Sequence, residues 1–496
     1  MTERNDAFLA KAEALKPTLH TREITAAGGG RALKRGDCLC LDFGEHLVGT
    51  VTLTLGARGS HPDAPAWLRL KFAERQKELE ENVEDYRGWI SASWVQQEQI
   101  HVDELPCTLP LPRRYAFRYL QIEVLDISAK YDLVVERAVC TAVSSADDAT
   151  LAPYLTEDRQ LAEIDRIACR TLHDCMQEVF EDGPKRDRRL WIGDLRLQAL
   201  ANYRTYRQND LVRRCLYLFA GSTLPGGRVG AGMFIRPEIE ADDAVMFDYS
   251  LFFIPTLLDY YEATGDAETL RELWPTARRQ IELAQASFDR DGLVRDSDVL
   301  GWCFLDWNLA LNKQAGAQGV YLYCESAAVK IAEKLSMPEE AAALRADLER
   351  KRGAALERLY DTRLGLFVSG AARQLSWASQ IWMVLGGAAD GAVLDRIAKR
   401  SDAVGMVTPY LYHHYVQALM DTGRREAALA VLRDYWGGMA KAGADTFWEL
   451  YDPADPNASP YGGTIVNSYC HAWSCAPAFF LRKYFDHNEN DKGEQT

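Results

Sequence analysis

The chain has 496 residues, 47% of them hydrophobic, enough to bury a large core and, by length, to form two or three domains. A net charge of −15 argues against nucleic-acid or anionic-membrane partners, because an acidic field attracts neither. The first residues lack the apolar segment of a secretory signal, and no apolar run reaches the ~20 residues of a membrane span, so a cytoplasmic protein without membrane contact is expected.

Residues 1–148 have β character. Cys38–Phe43 and Gly49–Leu55 are short alternating or β-branched runs, and Trp67–Phe72, Phe117–Val124 and Tyr131–Val135 continue the pattern. Short strands separated by turns predict a β-sandwich, read as an accessory domain for packing or sugar contact. A polar linker, Val143–Asp148, closes it. From about Leu161 the apolar period becomes helical, with segments at 164–180, 195–206, 210–219, 249–263, 267–288, 321–335, 338–359, 375–385, 408–421, 425–439 and 465–485. Eleven or twelve helices over residues 149–486 fit a closed double ring, an (α/α)6 toroid, and also permit an open helical array. No short repeat suggests a solenoid. Residues 487–496 read as a polar tail. The expected class is therefore mainly α, with a preceding β-sandwich.

Eleven cysteines without a zinc-type spacing read as small buried apolar residues in a reducing compartment. His413-His414 has no acid or cysteine neighbour at ligand spacing, so neither a metal ion nor another cofactor is expected.

The chemistry concentrates in loops of the helical part. Between Glu181 and Leu195, Asp182, Asp187 and Asp194 alternate with Lys185, Arg186, Arg188 and Arg189 around a Gly-Pro turn and Trp191. Three further loops pair acids with aromatics: Met246–Tyr249 with Asp248, Gly301–Asn308 with Asp306 and Trp307, and Gly443–Pro453 with Trp448 and Glu449. Asn467–Trp473, with His471, follows the last of these. Sugars present hydroxyl edges to carboxylates and C–H faces to aromatic rings, so such pairs suit a carbohydrate site.

In order, Asp182-x-Pro-x-Arg-Asp187, Trp191-x-Gly-Asp194, Asp306-Trp307, Gly443-Ala-x-Thr-x-Trp-Glu449 and Ser468-x-x-His471 resemble the inverting α-L-rhamnosidases of glycoside hydrolase family 78. Asp42-Phe-Gly44 and Val48-Gly49 look like the family's sandwich. The resemblance implies a β-sandwich ahead of an (α/α)6 catalytic barrel, with Glu449 as the base that activates water. It places Asp182, Arg186, Trp191, Asp194 and His471 on the sugar and Asp306 with Trp307 in the pocket wall. The family's acid is a glutamate, and without a gap it falls on Asp187, one methylene shorter. A different spacing in other members would set that glutamate on Arg188. Arg188, Asp248 and Trp448, in the same loops, complete the expected substrate-binding set, and Glu240 and Asp248 are reserve proton donors. Only the polar tail follows Phe485, where the family often has a further sandwich.

Each residue also has a structural reading. Asp194 suits a helix N-cap, Asp182 a turn, Asp187 a surface ion pair, and Trp191, Trp307 and Trp448 a core. Asp266 after Gly265 suits an N-cap as well. The expected partner is a small glycoside, and a homo-oligomer is compatible with the sequence. Two rivals are a sugar-binding pseudo-enzyme and a toroidal lyase or epimerase on a uronate-containing sugar, using Tyr410, Tyr412, His413 and His471.

Overall fold

The computed structural model describes residues 2–296 and 302–486. The two short runs Cys38–Phe43 and Gly49–Leu55 belong to one strand, Cys38–Gly59. Its first half pairs antiparallel with Tyr115–Asp126, and its second half lies between Tyr131–Ser144 and Cys107–Pro110. The register shifts between Asp42 and Leu47, where Gly44 takes φ +85°, so one strand turns from one layer of the sandwich into the other. Ala66–Ala73 and Gln97–Val102 extend the first layer, and His20–Thr25 extends the second. Leu41, Leu53, Leu70, Ile122 and Val135 fill the core between them. His20–Thr25, Gln97–Val102 and Cys107–Pro110 escape the sequence reading because they are edge strands with half-exposed polar residues.

A short helix, α1 (Asp6–Ala14), lies on the helical part, against Asn209–Gly221. That part comprises α2 (Arg159–Cys175), α3 (Ile192–Arg204), α4 (Asn209–Gly221), α5 (Phe247–Thr264), α6 (Ala267–Ala284) and α7 (Gln314–Lys334). It continues with α8 (Pro338–Arg358), α9 (Trp377–Leu385), α10 (Ala392–Ile397), α11 (Pro409–Asp421) and α12 (Arg425–Val431). α12 runs through a π turn into α13 (Gly437–Lys441), and α14 (Ala476–Tyr484) ends the ring.

Helices α3, α5, α7, α9, α11 and α14 form the inner ring. Each touches the next, the turn Ala472–Cys475 links α11 to α14, and α14 packs back on α3. α2, α4, α6, α8, α10 and α12, with α13, pack outside. The double ring is closed, an (α/α)6 toroid. The two layers differ in sequence character: α3 is buried from Ile192 through Asn202, while α2 buries one face, with Ile164, Ile167, Ala168 and Leu172. α7 begins seven residues before the expected start at 321, because Gly316 and Gly319 interrupt the apolar period. Gly319 is needed there: a Cβ would lie 2.5 Å from the Trp382 backbone in α9. Asp266 caps α6 through the Thr269 amide, after Gly265 ends α5 in the left-handed region. Residues 465–475, expected as helix, are loop and single turns, and this break frees the backbone around His471.

The sandwich reaches over one end of the toroid through the segment from Glu74 to Trp94. The Arg75 guanidinium stacks 4.1 Å over Trp448 and 4.9 Å over Tyr469, and it donates to the Pro456 carbonyl. Glu78 pairs with the buried Lys185, and Glu81 accepts from the Thr464 hydroxyl.

Candidate active site

Backbone bonds stitch three loops together at this end of the ring. Asp182 exchanges hydrogen bonds with Arg189, closing the loop between them on itself. The Asp182 carbonyl accepts from Ala472, Glu449 donates to the Ser468 carbonyl, and His471 donates to the Phe447 carbonyl. Gly183 sits against this ladder, where a Cβ would come within 2.7 Å of Ser468 Oγ. The acid-rich segment, Glu449 and His471 therefore share one framework.

They surround a cavity of about 240 Å³, below the roughly 300–1,000 Å³ of drug-sized sites. Asp182, Arg186, Asp187, Trp191, Asp194, Trp307, Glu449 and His471 all line it. Arg186 donates to Glu449 Oε2, and the Tyr461 hydroxyl donates to Oε1. The Arg186 guanidinium also stacks 4.2 Å over the Tyr461 ring and lies 3.6 Å from Asp187 Oδ1. One guanidinium thus touches both carboxylates, with a different nitrogen for each.

Asp187 and Arg188 have φ of +62° and +53°, a region that non-glycine residues rarely enter. The turn aims Asp187 into the cavity. Burial raises its carboxyl above the usual carboxylate range, against the opposing Arg186 charge and with the help of Glu449. This is the direction a proton donor requires, and it offsets the arginine-rich neighbourhood.

Asp182, Asp194 and His471 form the floor. Tyr249 donates to Asp194 Oδ2 at 3.3 Å, and His471 lies 4.0 Å from Asp182 and 3.7 Å from Asp194. Burial raises both carboxyls well above their ordinary range, reinforced at Asp182 by Asp187 and Asp194. Burial and Arg186 hold His471 neutral. Among the described residues, Trp191 Nε1, Trp307 Nε1, Arg186 Nε, Asp194 Oδ1 and His471 Nδ1 are buried without a hydrogen-bond partner. Buried polar atoms are normally satisfied, so a wall with this many unmatched groups suits a ligand rich in hydroxyls.

The other expected residues lie elsewhere. Both Asp248 oxygens accept backbone amides of Phe304 and Leu305. Asp306 accepts from the amides of Val407 and Thr408 and from the Thr408 hydroxyl, ordering the start of α11. Burial lifts its pKa to about 6. Trp448 is a core residue clamped by Arg75. Arg188 faces a neighbouring cavity, and Glu240 is exposed on a short strand outside both. Tyr410, Tyr412 and His413 are likewise outside the sugar-sized cavity, leaving His471 alone of the lyase set within it. Gly301, at the head of the Asp-Trp loop, lies outside the described residues.

Several wall residues went unread. Tyr461 sits in the turn Ser459-Pro-Tyr-Gly-Gly463, whose only sequence signal is an aromatic among turn formers. Trp89 and Ile90 come from the sandwich, and the Trp89 indole donates to the Pro460 carbonyl at 2.8 Å. Trp302, Phe304 and Trp473 add apolar surface.

Residues 13–142 match the model of the glycosyl hydrolase family 78 α-rhamnosidase N-terminal domain, and residues 151–485 match that of the bacterial α-L-rhamnosidase six-hairpin glycosidase domain. A rhamnosidase from Klebsiella oxytoca, solved with rhamnose bound, is 48% identical, with a TM-score of 0.94 over 98% of this chain and 100% of its own. A family 78 rhamnosidase of Bacillus sp. GL1 shares the fold at 22% identity and a TM-score of 0.75, over 90% of this chain and 46% of its own. An α-L-rhamnosidase of Streptomyces avermitilis, complexed with L-rhamnose, shares it at 17% and 0.68, over 94% of this chain and 44% of its own. Among curated protein sequences nothing matches. The acid-lined cavity at the end of the toroid, the two domain matches and the full-length likeness together show that this chain belongs to glycoside hydrolase family 78, the α-L-rhamnosidase family, and is a glycoside hydrolase.

Proposed function

We propose that the enzyme removes a terminal α-L-rhamnose, or a closely related sugar, from small glycosides with inversion at the anomeric carbon. The observation that carries this reading is the arrangement of Asp187 and Glu449 on separate nitrogens of Arg186 at one small cavity. Inverting hydrolysis needs a protonated carboxyl beside the leaving oxygen and a carboxylate at water, roughly 6.5–9.5 Å apart. Asp187, whose pKa burial raises, gives its proton to the glycosidic oxygen as the bond to the anomeric carbon breaks. Glu449, held by Arg186 and Tyr461, takes a proton from the water that attacks the opposite face. The step ends with Asp187 ionised and Glu449 protonated, and proton exchange with solvent resets them. The unmatched atoms of Trp191, Trp307, Asp194 and His471 hold the sugar hydroxyls.

The rhamnose bound to the Klebsiella oxytoca relative supports the choice of glycone. The acidic composition and scattered free cysteines support a cytoplasmic enzyme acting on imported glycosides, without nucleic-acid or membrane partners. A panel of aryl glycosides tests the activity, and proton NMR of the first-formed anomer tests the stereochemistry. Initial release of the retained anomer would overturn the inverting assignment.

A further inference from the structure

Beside the sugar cavity lies a second one of about 560 Å³, and Asp187 and Arg189 line both. A proton donor stands on the leaving-group side of the bond it cleaves. If Asp187 is that donor, the chain beyond the scissile oxygen extends from the sugar cavity past Asp187, into this second space.

Its walls are rich in guanidinium groups, and all but one of them are paired. Arg114 binds Glu181 through two bonds of 3.0 and 2.7 Å, Arg236 pairs with Glu178, and Arg189 donates to Asp242 at 2.9 Å. Arg188 has no carboxylate within ion-pair distance among the described residues. Among the described residues its one side-chain hydrogen bond runs from Nε to the Lys185 carbonyl at 3.3 Å, which leaves both terminal nitrogens without a protein acceptor. Burial, followed by the adjacent Arg114, lowers its pKa to about 10. An arginine stays charged nonetheless, so Arg188 sits in a field that an anion would relieve. Phe234, with Arg189 stacked 4.2 Å over its ring, and Trp94 supply flat apolar surface in the same cavity. The backbone strain at Asp187 and Arg188 turns successive side chains into the two cavities.

We propose that the second cavity is the leaving-group subsite and that Arg188 selects aromatic aglycones bearing an anion, a carboxylate or a sulfate. The inference rests on Asp187 as proton donor. It locates the acidic group on the aglycone and leaves the glycone a neutral sugar.

The test compares the α-L-rhamnosides of 4-hydroxybenzoate and of the near-isosteric neutral 4-hydroxybenzamide, in the wild type, Arg188→Gln and Arg188→Lys. The readout is the ratio of the two kcat/KM values within each protein, which cancels differences in folding and in intrinsic catalysis. A charge-assisted hydrogen bond lost at Arg188 lowers the carboxylate-to-amide ratio about tenfold in Arg188→Gln. Arg188→Lys, which keeps the charge and loses the planar fork, falls between. A ratio equal in wild type and Arg188→Gln overturns the proposal while leaving the glycosidase reading intact. Should neither glycoside turn over, calorimetric titration with 4-hydroxybenzoate and 4-hydroxybenzamide in the presence of L-rhamnose decides separately. Preferential binding of the acid that Arg188→Gln abolishes keeps the subsite and discards the rhamnosidase reading; equal binding in both proteins discards the subsite.

Discussion

Arg186 and Glu449 stand 263 residues apart in the chain and meet as a buried ion pair, with the Tyr461 hydroxyl on the other carboxylate oxygen. The pair joins the acid-rich loop to the Trp-Glu loop and fixes the orientation of Glu449, the proposed base. Breaking such a pair by removing one partner costs about 3–5 kcal/mol, because a charge is left buried and alone. Arg186→Met should lower the melting temperature and abolish turnover. Arg186→Lys should fold, yet lose roughly 100-fold in kcat, since an ammonium cannot reach both carboxylates in the geometry of the fork. Thermal denaturation beside steady-state kinetics separates the two effects.

As the proposed donor Asp187 would act while protonated, and its raised pKa extends that form to higher pH. The rate should therefore fall as pH rises through that pKa, giving the basic limb of the profile. Asp187→Asn should erase this limb and slow substrates with poor leaving groups by about 10²–10⁴-fold. Aryl glycosides with strongly acidic phenols, which leave without a proton, should slow far less. A full rate on an alkyl glycoside would sink the assignment.

Tyr461→Phe removes one hydroxyl and keeps the ring against Arg186. The Glu449 carboxylate then loses a charge-assisted donor, worth about tenfold in rate. The loss should appear in kcat more than in KM, because the contact is to the proposed base.

Gly183→Ala places a methyl group against Ser468 Oγ and the Cys470 carbonyl. The ladder that carries His471 must then part from the loop that carries Asp187. Activity should drop by at least about 100-fold with a smaller loss of stability, a split that kinetics and chemical denaturation can read.

Asp306→Ala should act on stability alone. It strands the amides of Val407 and Thr408 at the head of α11, at about 1–3 kcal/mol for a buried unmatched donor. KM for the aryl glycoside should stay within about twofold in the folded fraction. A large rise in KM would return Asp306 to the sugar.

Much of the fold was legible because it depends on short-range patterns. The inner helices read as apolar runs, the outer ones as one-sided faces, and the sandwich strands as alternation. The site was legible in outline, since acids, arginines and tryptophans gathered in the loops between helices. Its assignment to individual residues was less so. Asp248 and Asp306 carry the same carboxylate as Asp182 and Asp194, and sit in loops that look alike as sequence. Backbone amides occupy the first two, whereas the second two face the cavity.

The sequence by itself determined the order of the sandwich and the ring, most of their element types and the stock of acids at the loop end of the ring, because periodicity and turn chemistry act over a few residues. Tertiary structure alone decided which acids remained available. It brought Glu449 onto Arg186, set Trp89 of the sandwich in the wall of the acid-lined cavity, and turned Arg188 away from that cavity into the neighbouring one. The physical reason is that a carboxylate or guanidinium takes its role from the partner it meets across space, and here those partners lie scores to hundreds of residues away.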